Sequence, residues 1–422
     1  MSDNIPRQPV DGVPVGPASV EVVRLRQLTP GAMWVTAIVI ATLTAAAVVG
    51  LWWPATAGLN GADLVTARLD ALKIGLSIGV GSGGVVALYL AWRRQHSTEA
   101  DLDNRERSLF LQQQVAGEAR ADATARRITE LYLKAVEQLG SDKAPVRLGG
   151  LYALERVAQD NRTQRQTIVN VWCAYLRMPF TPPDEPPTVD EKKDVREDYR
   201  DQVQEREVRL TAQRLLTEHL TPGANPESPV DTFWAEMNLD LAGAVLINFT
   251  LTSCTARAVT FDLATFIGGA NFDSATFTSD ADFISAKFTN YADFDLSTFI
   301  DYADFEAATF TSYANFGSAE FPGGASFDSA TFTGSANFGS AKFPGGASFD
   351  SATFTGSANF DSASFSRYVN FSSATFINSA NFGSTKFTAP PAKEDVVTAG
   401  MTTDFRGTRF VEEPPAELAP FL

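Results

Sequence analysis

Residues 314–338 read ANFGSAEFPGGASFDSATFTGSANF, and residues 336–360 repeat that string with one change, Lys342 standing where the first copy has Glu320. The two copies start 22 residues apart. Phe falls at 316, 321, 327, 332 and 338, with gaps that alternate five and six, and this alternation runs unbroken from Phe261 to Phe387. The unit is eleven residues long, as in ANFDSATFTSD over 270–280, two pentads plus one extra residue. Upstream, Leu241, Leu246, Leu251, Ala256 and Phe261 keep a strict spacing of five. Self-similarity at a short fixed period marks a solenoid, in which each repeat buries its apolar face only against its neighbours. Copying of a solenoid is least disruptive when a whole coil is copied, so the 22-residue offset sets the coil at two units with four Phe per turn. One coil per eleven residues is the competing reading, and it does not predict copying at 22.

The pentads resemble the pentapeptide-repeat family, whose motif is A-(D/N)-(L/F)-x-x, over about Leu239 to Phe387. That resemblance implies a right-handed quadrilateral β-helix with four pentads per coil. Coils stack at strand spacing, about 4.8 Å. From Leu241 to Phe387 there are 28 pentads, hence seven coils, about 34 Å in length. Phe at the pentad centre and Ala two residues before it point inward, alternating large and small around a narrow core. Phe261, Phe266, Phe272, Phe277, Phe283, Phe288, Phe294, Phe299, Phe305 and Phe310 are the first ten of these core positions. A core so filled leaves no interior ligand pocket.

The extra residues are expected at two opposite corners of the coil. They follow Gly268, Ser279, Asn290 and the corresponding residues every eleven positions to Asn378. All of these except Arg367 tolerate unusual backbone angles, which are expected there. On this register Tyr291 stacks over Tyr313, and Glu320 lies beside Lys342. Asp273 neighbours Asp295, and Asp328 neighbours Asp350. These aspartates read either as a solvated acidic face with counter-ions or as an acidic partner surface. After Phe387 the repeat is interrupted by Pro390-Pro391, then resumes at Thr403–Gly407 and Thr408–Phe410. Residues 388–422 are therefore read as interrupted last repeats and a C-terminal cap over an otherwise open solenoid edge.

Working toward the N-terminus, residues 231–387 form the solenoid, 195–230 a helix with the N-terminal cap, 179–194 a Pro-rich linker and 97–178 a HEAT-like helical bundle. In that bundle a helix is expected to start at Thr98 as N-cap and run toward Leu139. Residues 31–93 hold two apolar runs, Ala32–Trp53 and Ile74–Trp92, each long enough to cross a bilayer as a helix. Ala55-Thr56-Ala57 looks like a signal-peptidase site, but the first run exceeds the usual length of a signal peptide's apolar region. Residues 1–30 are Pro- and Val-rich without period and are expected to be disordered.

Arg24 and Arg26 precede the first run, Arg93, Arg94, Arg105 and Arg107 follow the second, and the loop between them holds Arg68 and Lys73. By the positive-inside rule, this predicts a multi-pass protein of the cell (inner) membrane with both termini cytoplasmic. Gly75, Gly79 and Gly83 share one helix face, where another helix can approach closely. The partner there is either the first run, within the chain, or a second copy, giving a homo-oligomer. The fold class is thus mixed: a two-span helical hairpin, an α-helical spacer and a C-terminal β-helix.

The net charge is −16 over 422 residues. Residues 231–422 hold 22 Asp and Glu against 8 Lys and Arg, a net of −14. Direct binding of nucleic acid, which needs a basic stripe, is not expected. Two cysteines, Cys173 and Cys254, are too few for a disulfide framework and fit a reducing compartment. Only His96 and His219 occur, so neither a metal site nor a Ser–His–Asp arrangement is predicted. Gly81-Ser82-Gly83-Gly84 lies inside an apolar run, where no phosphate loop belongs. No enzyme activity and no cofactor are expected. Two functions remain. One is a membrane-anchored scaffold whose partners are the lipid bilayer and a cytoplasmic protein. The other rests on resemblance: some pentapeptide-repeat proteins look like B-form DNA in shape and charge and bind DNA gyrase. The helical stretch over 135–178 is similar to a segment found before the repeats in membrane-associated actinobacterial members of the family.

Overall fold

The computed structural model describes residues 30–57, 61–183, 185–188, 190–225, 227–388, 403–406, 408–411 and 413–419. The expected disorder of residues 1–30 and the Pro390-Pro391 interruption fall almost wholly outside these residues. The chain divides into two compact units, Met1–Arg120 and Ala121–Leu422.

The first unit is helical. Helix α1 spans Pro30–Thr56 and helix α2 spans Ala62–Leu139. Both carry stretches long and apolar enough to cross a membrane, Trp34–Pro54 and Val65–Trp92. Their large apolar side chains face outward, among them Trp34, Ile38, Leu43, Ile78 and Leu88. Two expectations are corrected here. No new helix starts at Thr98, because α2 continues through it without a break. The run from Ser97 to Leu139 has neither Pro nor a turn dipeptide to stop it. Arg68 and Lys73 do not sit in a loop either. They lie on α2, where the Arg68 guanidinium stacks 5.6 Å over the Trp52 ring and Lys73 pairs with Asp70 at 3.6 Å.

In the second unit, helices α3 (Ala144–Asp160), α4 (Arg165–Arg177) and α5 (Lys193–Leu220) pack ahead of the solenoid. Each contributes apolar residues at helical spacing: Leu151, Leu154 and Ala158 from α3, Ile168, Trp172 and Leu176 from α4, and Val208, Ala212 and Leu216 from α5, all buried. Arg209 of α5 is itself buried and closes the end of α4. Its guanidinium donates to the carbonyl oxygens of Leu176 at 2.9 Å and Met178 at 2.8 Å, and to Glu205 at 2.8 Å.

The solenoid is four-sided, and all its ladders are parallel. On the first face Ala281–Asp282, Ala303–Asp304, Ala325–Ser326 and Ala347–Ser348 follow one another. On the second are Lys287–Phe288, Thr309–Phe310 and Thr331–Phe332. The third holds Ala292–Asp293, Ala314–Asn315 and Ala336–Asn337. The fourth holds Thr276–Phe277 and Thr298–Phe299, then continues through single bridges at Glu320 to Lys342. Every one of these pairings joins residues 22 apart, so one coil is 22 residues. Corner insertions of one residue fall between the second and third faces and between the fourth and first, which are opposite corners.

The core is a set of phenylalanine ladders. On the second face the rings of Phe266, Phe288, Phe310 and Phe332 stack at 4.6, 4.7 and 4.8 Å, tilted from one another by 1–3°. On the third, Phe294, Phe316 and Phe338 stack at 4.8 and 4.9 Å. These spacings match the strand spacing, so the ring stack and the backbone ladder share one rise. Rings on the opposite first and third faces meet edge to face across the core, as Phe305 and Phe316 do at 5.3 Å and 85°. Phe261 to Phe310, the ten expected core positions, are all 0–1 % exposed.

The backbone angles at the corners differ from expectation. Of the turn-formers preceding the extra residues, only Gly268 has a positive φ. The left-handed residues lie instead at the five-residue corners: Ser274, Ser285, Leu296, Ala307, Ser318, Ser329, Ser340, Ser351, Ser362 and Ser373, with φ of 54–60°. Each is third in a tight turn closed by a bond from the next residue's N–H to the Phe carbonyl, for example Ala275 to Phe272 at 3.0 Å and Ser297 to Phe294 at 3.2 Å. A five-residue corner must turn in the fewest residues, and a left-handed third position does that. The extra residue at the other corners relieves the requirement, except at Gly268 and at the extra residues Gly324 and Gly346, which turn at φ of 77°, 98° and 95°. Glycine has a different use there, because a methyl group on Gly334 would fall onto the backbone of Ser312 directly beneath it. Gly334→Ala is therefore expected to cost about 1–3 kcal/mol through forced backbone movement, read as a lower melting temperature.

The ladders continue past the interruption. Thr403–Asp404 pairs with Val369–Asn370 and Arg409–Phe410 with Thr375–Phe376. Phe405 stacks on Phe371 at 4.9 Å and Phe410 on Phe376 at 5.1 Å, and Leu418 is buried beyond them.

Candidate interaction surface

The two ends of a solenoid expose unpaired backbone groups. At the N-terminal end two glutamines cover them. Gln213 of α5 donates to the Ile247 carbonyl at 2.8 Å and accepts from the Ile247 N–H at 3.1 Å. Gln166 of α4 does the same to Asn238, at 2.9 Å in both directions. Each carboxamide thus replaces one peptide of an absent coil. Arg177 pairs with Asp240, and Thr217 donates to the Thr250 carbonyl at 2.6 Å. This end is closed by α4 and α5, which leaves the four lateral faces.

The carboxylates of the repeat have an organisation the period alone does not convey. Asp273 and Asp295 lie one coil apart on the corner between the third and fourth faces. Asp328 and Asp350 lie one coil apart on the opposite corner, between the first and second. The structure therefore makes two vertical pairs and no single patch of four. The carboxylates also hold the backbone. Asp328 accepts from the Asp350 N–H at 2.9 Å, Asp262 from Ile284 N–H at 3.0 Å, and Asp361 from Ser384 N–H at 2.9 Å. Part of the acidic repeat is thus a set of acceptors for corner N–H groups.

On the third face an amide ladder climbs the solenoid. Asn315 donates to Asp293 at 3.0 Å, Asn337 to Asn315 at 2.8 Å, Asn359 to Asn337 at 2.8 Å and Asn381 to Asn359 at 3.0 Å. The amide dipoles align head to tail and end on a carboxylate. The first face differs. Asp282 and Asp304 sit directly above one another, with Asp262, Glu306 and Asp328 on the adjoining corner. Tyr302 and Tyr368 flank this face, separated in their column by Gly324 and Gly346. Burial pushes the carboxyl of Asp282 up, and Asp262, Asp280 and Asp304 push it further. Burial likewise raises Asp304, with Glu306, Asp262 and Asp328 adding to it against an N–H bond from Glu306. Asp295 is raised by burial, then by Asp293 and Asp273. Tyr302 is pushed up to about 12, mainly by burial.

The sign of this effect is testable. A carboxyl whose pKa is raised by folding stabilises the fold fully below the ordinary aspartate value of 3.8, and loses that contribution as pH rises through the raised value. Lowering the pH from neutral toward about 4.5 is expected to raise the melting temperature, the reverse of ordinary acid denaturation. Asp304→Asn keeps the acceptor for Glu306 N–H at 2.9 Å and is expected to flatten that rise.

The remaining predicted residues fall elsewhere. A methyl group on Gly75 would collide with Val48, and one on Gly79 would lie 3.0 Å from the Thr44 side chain, so both glycines face α1. Gly83 faces open space. Glu320 and Lys342 pair at 2.6 Å, both well exposed, a contact of little weight. Tyr291 shares a column with Tyr313, but its ring lies down against Gly269 of the preceding coil. Burial pushes the thiols of Cys173 and Cys254 up to about 12 and about 11, which keeps both protonated at neutral pH. Among the described residues no group of three or more His, Cys, Asp or Glu is placed to hold a metal ion.

Sequence reasoning missed Phe249, Gln166 and Gln213. Phe249 is buried in the first coil opposite Ala270, in the slot that later coils give to alanine. It meets Phe261 edge-on at 5.7 Å and Phe272 at a 57° tilt at 6.0 Å. A bulge at Asn248, φ 45°, brings it there. The first coil is thereby filled by a second large ring where the ladder has no coil beneath it.

A family model described as pentapeptide repeats, nine copies, matches residues 261–309 and 316–364. No curated protein and no solved structure matches the chain. The matched residues lie within the observed solenoid and share its period, so this part of the chain is a pentapeptide-repeat solenoid.

Proposed function

We propose that this chain is a non-enzymatic scaffold, anchored in the cell membrane by α1 and α2, that offers the acidic first face of its solenoid to a cytoplasmic protein. The observation that carries this reading is the filled core: buried side chains, mostly Phe and Ala, fill the inside of the coils, so recognition falls to the sides. The favoured partner segment is basic, since Asp282, Asp304, Glu306 and Asp328 stand at strand spacing beside Tyr302 and Tyr368. Flexible lysine or arginine side chains of an extended segment reach these carboxylates, and tyrosine faces favour such cations. Positive residues at Arg93, Arg94, Arg105 and Arg107 support a cytoplasmic solenoid.

The test is a photo-crosslinking amino acid introduced in living cells at 306 or, as control, at 287 on the second face. Discrete partner adducts at 306 that vanish with Asp282→Asn/Asp304→Asn support the reading. Equal labelling from both faces, or none, removes it. A supercoiling assay with the same purified protein decides the gyrase alternative: inhibition at micromolar concentration favours it, and no effect excludes it.

A further inference from the structure

The helical cap meets the first coil around a buried histidine. His219, in the last turn of α5, is 2 % exposed. Its ring lies flat on Trp234, with centroids 3.8 Å apart and planes 12° from parallel, and Trp172 stacks on Trp234 at 5.7 Å. Nδ1 is 2.8 Å from the carbonyl oxygen of Thr232, and Nε2 is 3.2 Å from Oε1 of Glu155 on α3. Both neighbours are acceptors. A neutral imidazole carries one N–H, so a single proton on the ring satisfies only one of the two contacts. The other then sets a lone pair against an oxygen in a buried site, which is costly.

We propose that His219 and Glu155 hold an additional proton between them, and that this proton latches the helical cap to the start of the solenoid in a pH-dependent way. The latch joins three parts of the chain: α3 through Glu155, α5 through His219, and the segment leading into the first strand through Thr232 and Trp234. Trp234 reinforces it, donating its backbone N–H to the His219 carbonyl at 2.7 Å and its indole N–H to Gln159 at 2.9 Å. The charged groups around the ring are Glu155 from α3 and Arg165 from α4. The Arg165 guanidinium lies 5.4 Å over Trp234 and donates to the Phe233 carbonyl at 3.4 Å. Glu155 is in direct contact with the ring, whereas Arg165 lies over Trp234. The Glu155 side chain is 25 % exposed, which gives the proton a path to water.

Histidine changes charge within about pH 5–8. A proton bound in the latched state stabilises it at the low end of that range, and the stabilisation fades as pH rises. Hydrogen exchange by mass spectrometry on the full chain in detergent tests this at about pH 6 and about pH 8.5, after correction for the intrinsic exchange rate. Protection of residues 213–241 is expected to fall at least about tenfold at the higher pH, while coils beyond residue 290 keep theirs. In Glu155→Gln a neutral amide N–H donates to Nε2, so the latch closes without the proton and protection becomes independent of pH. Equal protection of the unmodified chain at the two pH values overturns the proposal, and so does an unchanged pH dependence in Glu155→Gln. The unmodified chain decides the matter alone if the variant does not fold.

Discussion

Phe316→Ala is expected to lower the melting temperature by on the order of 10 °C. Phe316 is fully buried at mid-solenoid, stacked between Phe294 at 4.8 Å and Phe338 at 4.9 Å and edge-on to Phe305 and Phe327 at 5.3 and 5.2 Å. Truncating such a ring removes about 3–5 kcal/mol through lost transfer and a residual cavity. In a cooperative unit of about 150–250 residues, the size class of the solenoid, each kcal/mol moves the midpoint by roughly 2–4 °C. The cavity cannot collapse, because the rings above and below are held at the backbone rise. The same change at Phe387, on the half-buried last coil, is expected to cost much less. Differential scanning calorimetry in detergent compares the two directly. Equal shifts would mean that the ladder is not the source of stability.

A larger effect is expected from changing coil length. Removing residues 336–357 takes out one whole coil and joins Ser335 to Ala358, recreating the native Gly-Ser-Ala-Asn-Phe sequence at the seam. Every face keeps its register, and Asn359 takes the place of Asn337 as donor to Asn315. This protein is expected to fold and to melt within a few degrees of the full chain, because stability in a repeat array is close to a sum over neighbours. Removing residues 336–355, two fewer, puts each later Phe two positions out of its column. That moves rings toward corners and acidic corner residues toward the core. Its expected outcome is failure to form the C-terminal coils, seen as lost β signal in circular dichroism and lost protease resistance after residue 335. Two deletions of nearly equal size with opposite outcomes separate a 22-residue coil from a merely repetitive one.

The coil was readable because its period is simple and its copies nearly identical: Glu320 against Lys342 is the sole difference across the copied string. The ten inward phenylalanines followed from that period. Corner angles did not, because spacing says where a corner lies and not which of its residues turns left-handed. Ser274 and Leu296 turn at positive φ, although neither type is a preferred one. Phe249 was hidden for a related reason. The five-residue spacing runs through Leu246 and Leu251, and nothing in sequence announces the bulge that swings Phe249 inward. The acidic side was visible as a count, but not its division between opposite corners or its use as acceptors for corner N–H groups. The closing of the N-terminal edge by Gln166 and Gln213 depends on how α4 and α5 lie against the first coil, a long-range fact with no local signal. The continuous α2 was missed because an N-cap residue at Thr98 invites a start that an unbroken helix does not need.

The proposed scaffold requires α1 and α2 to insert into a membrane. Alkaline-carbonate fractionation tests that claim directly, comparing the full chain with residues 121–422, the second compact unit. The full chain is expected to stay in the membrane pellet after the wash, and residues 121–422 to be soluble. Release of the full chain into the supernatant would contradict it.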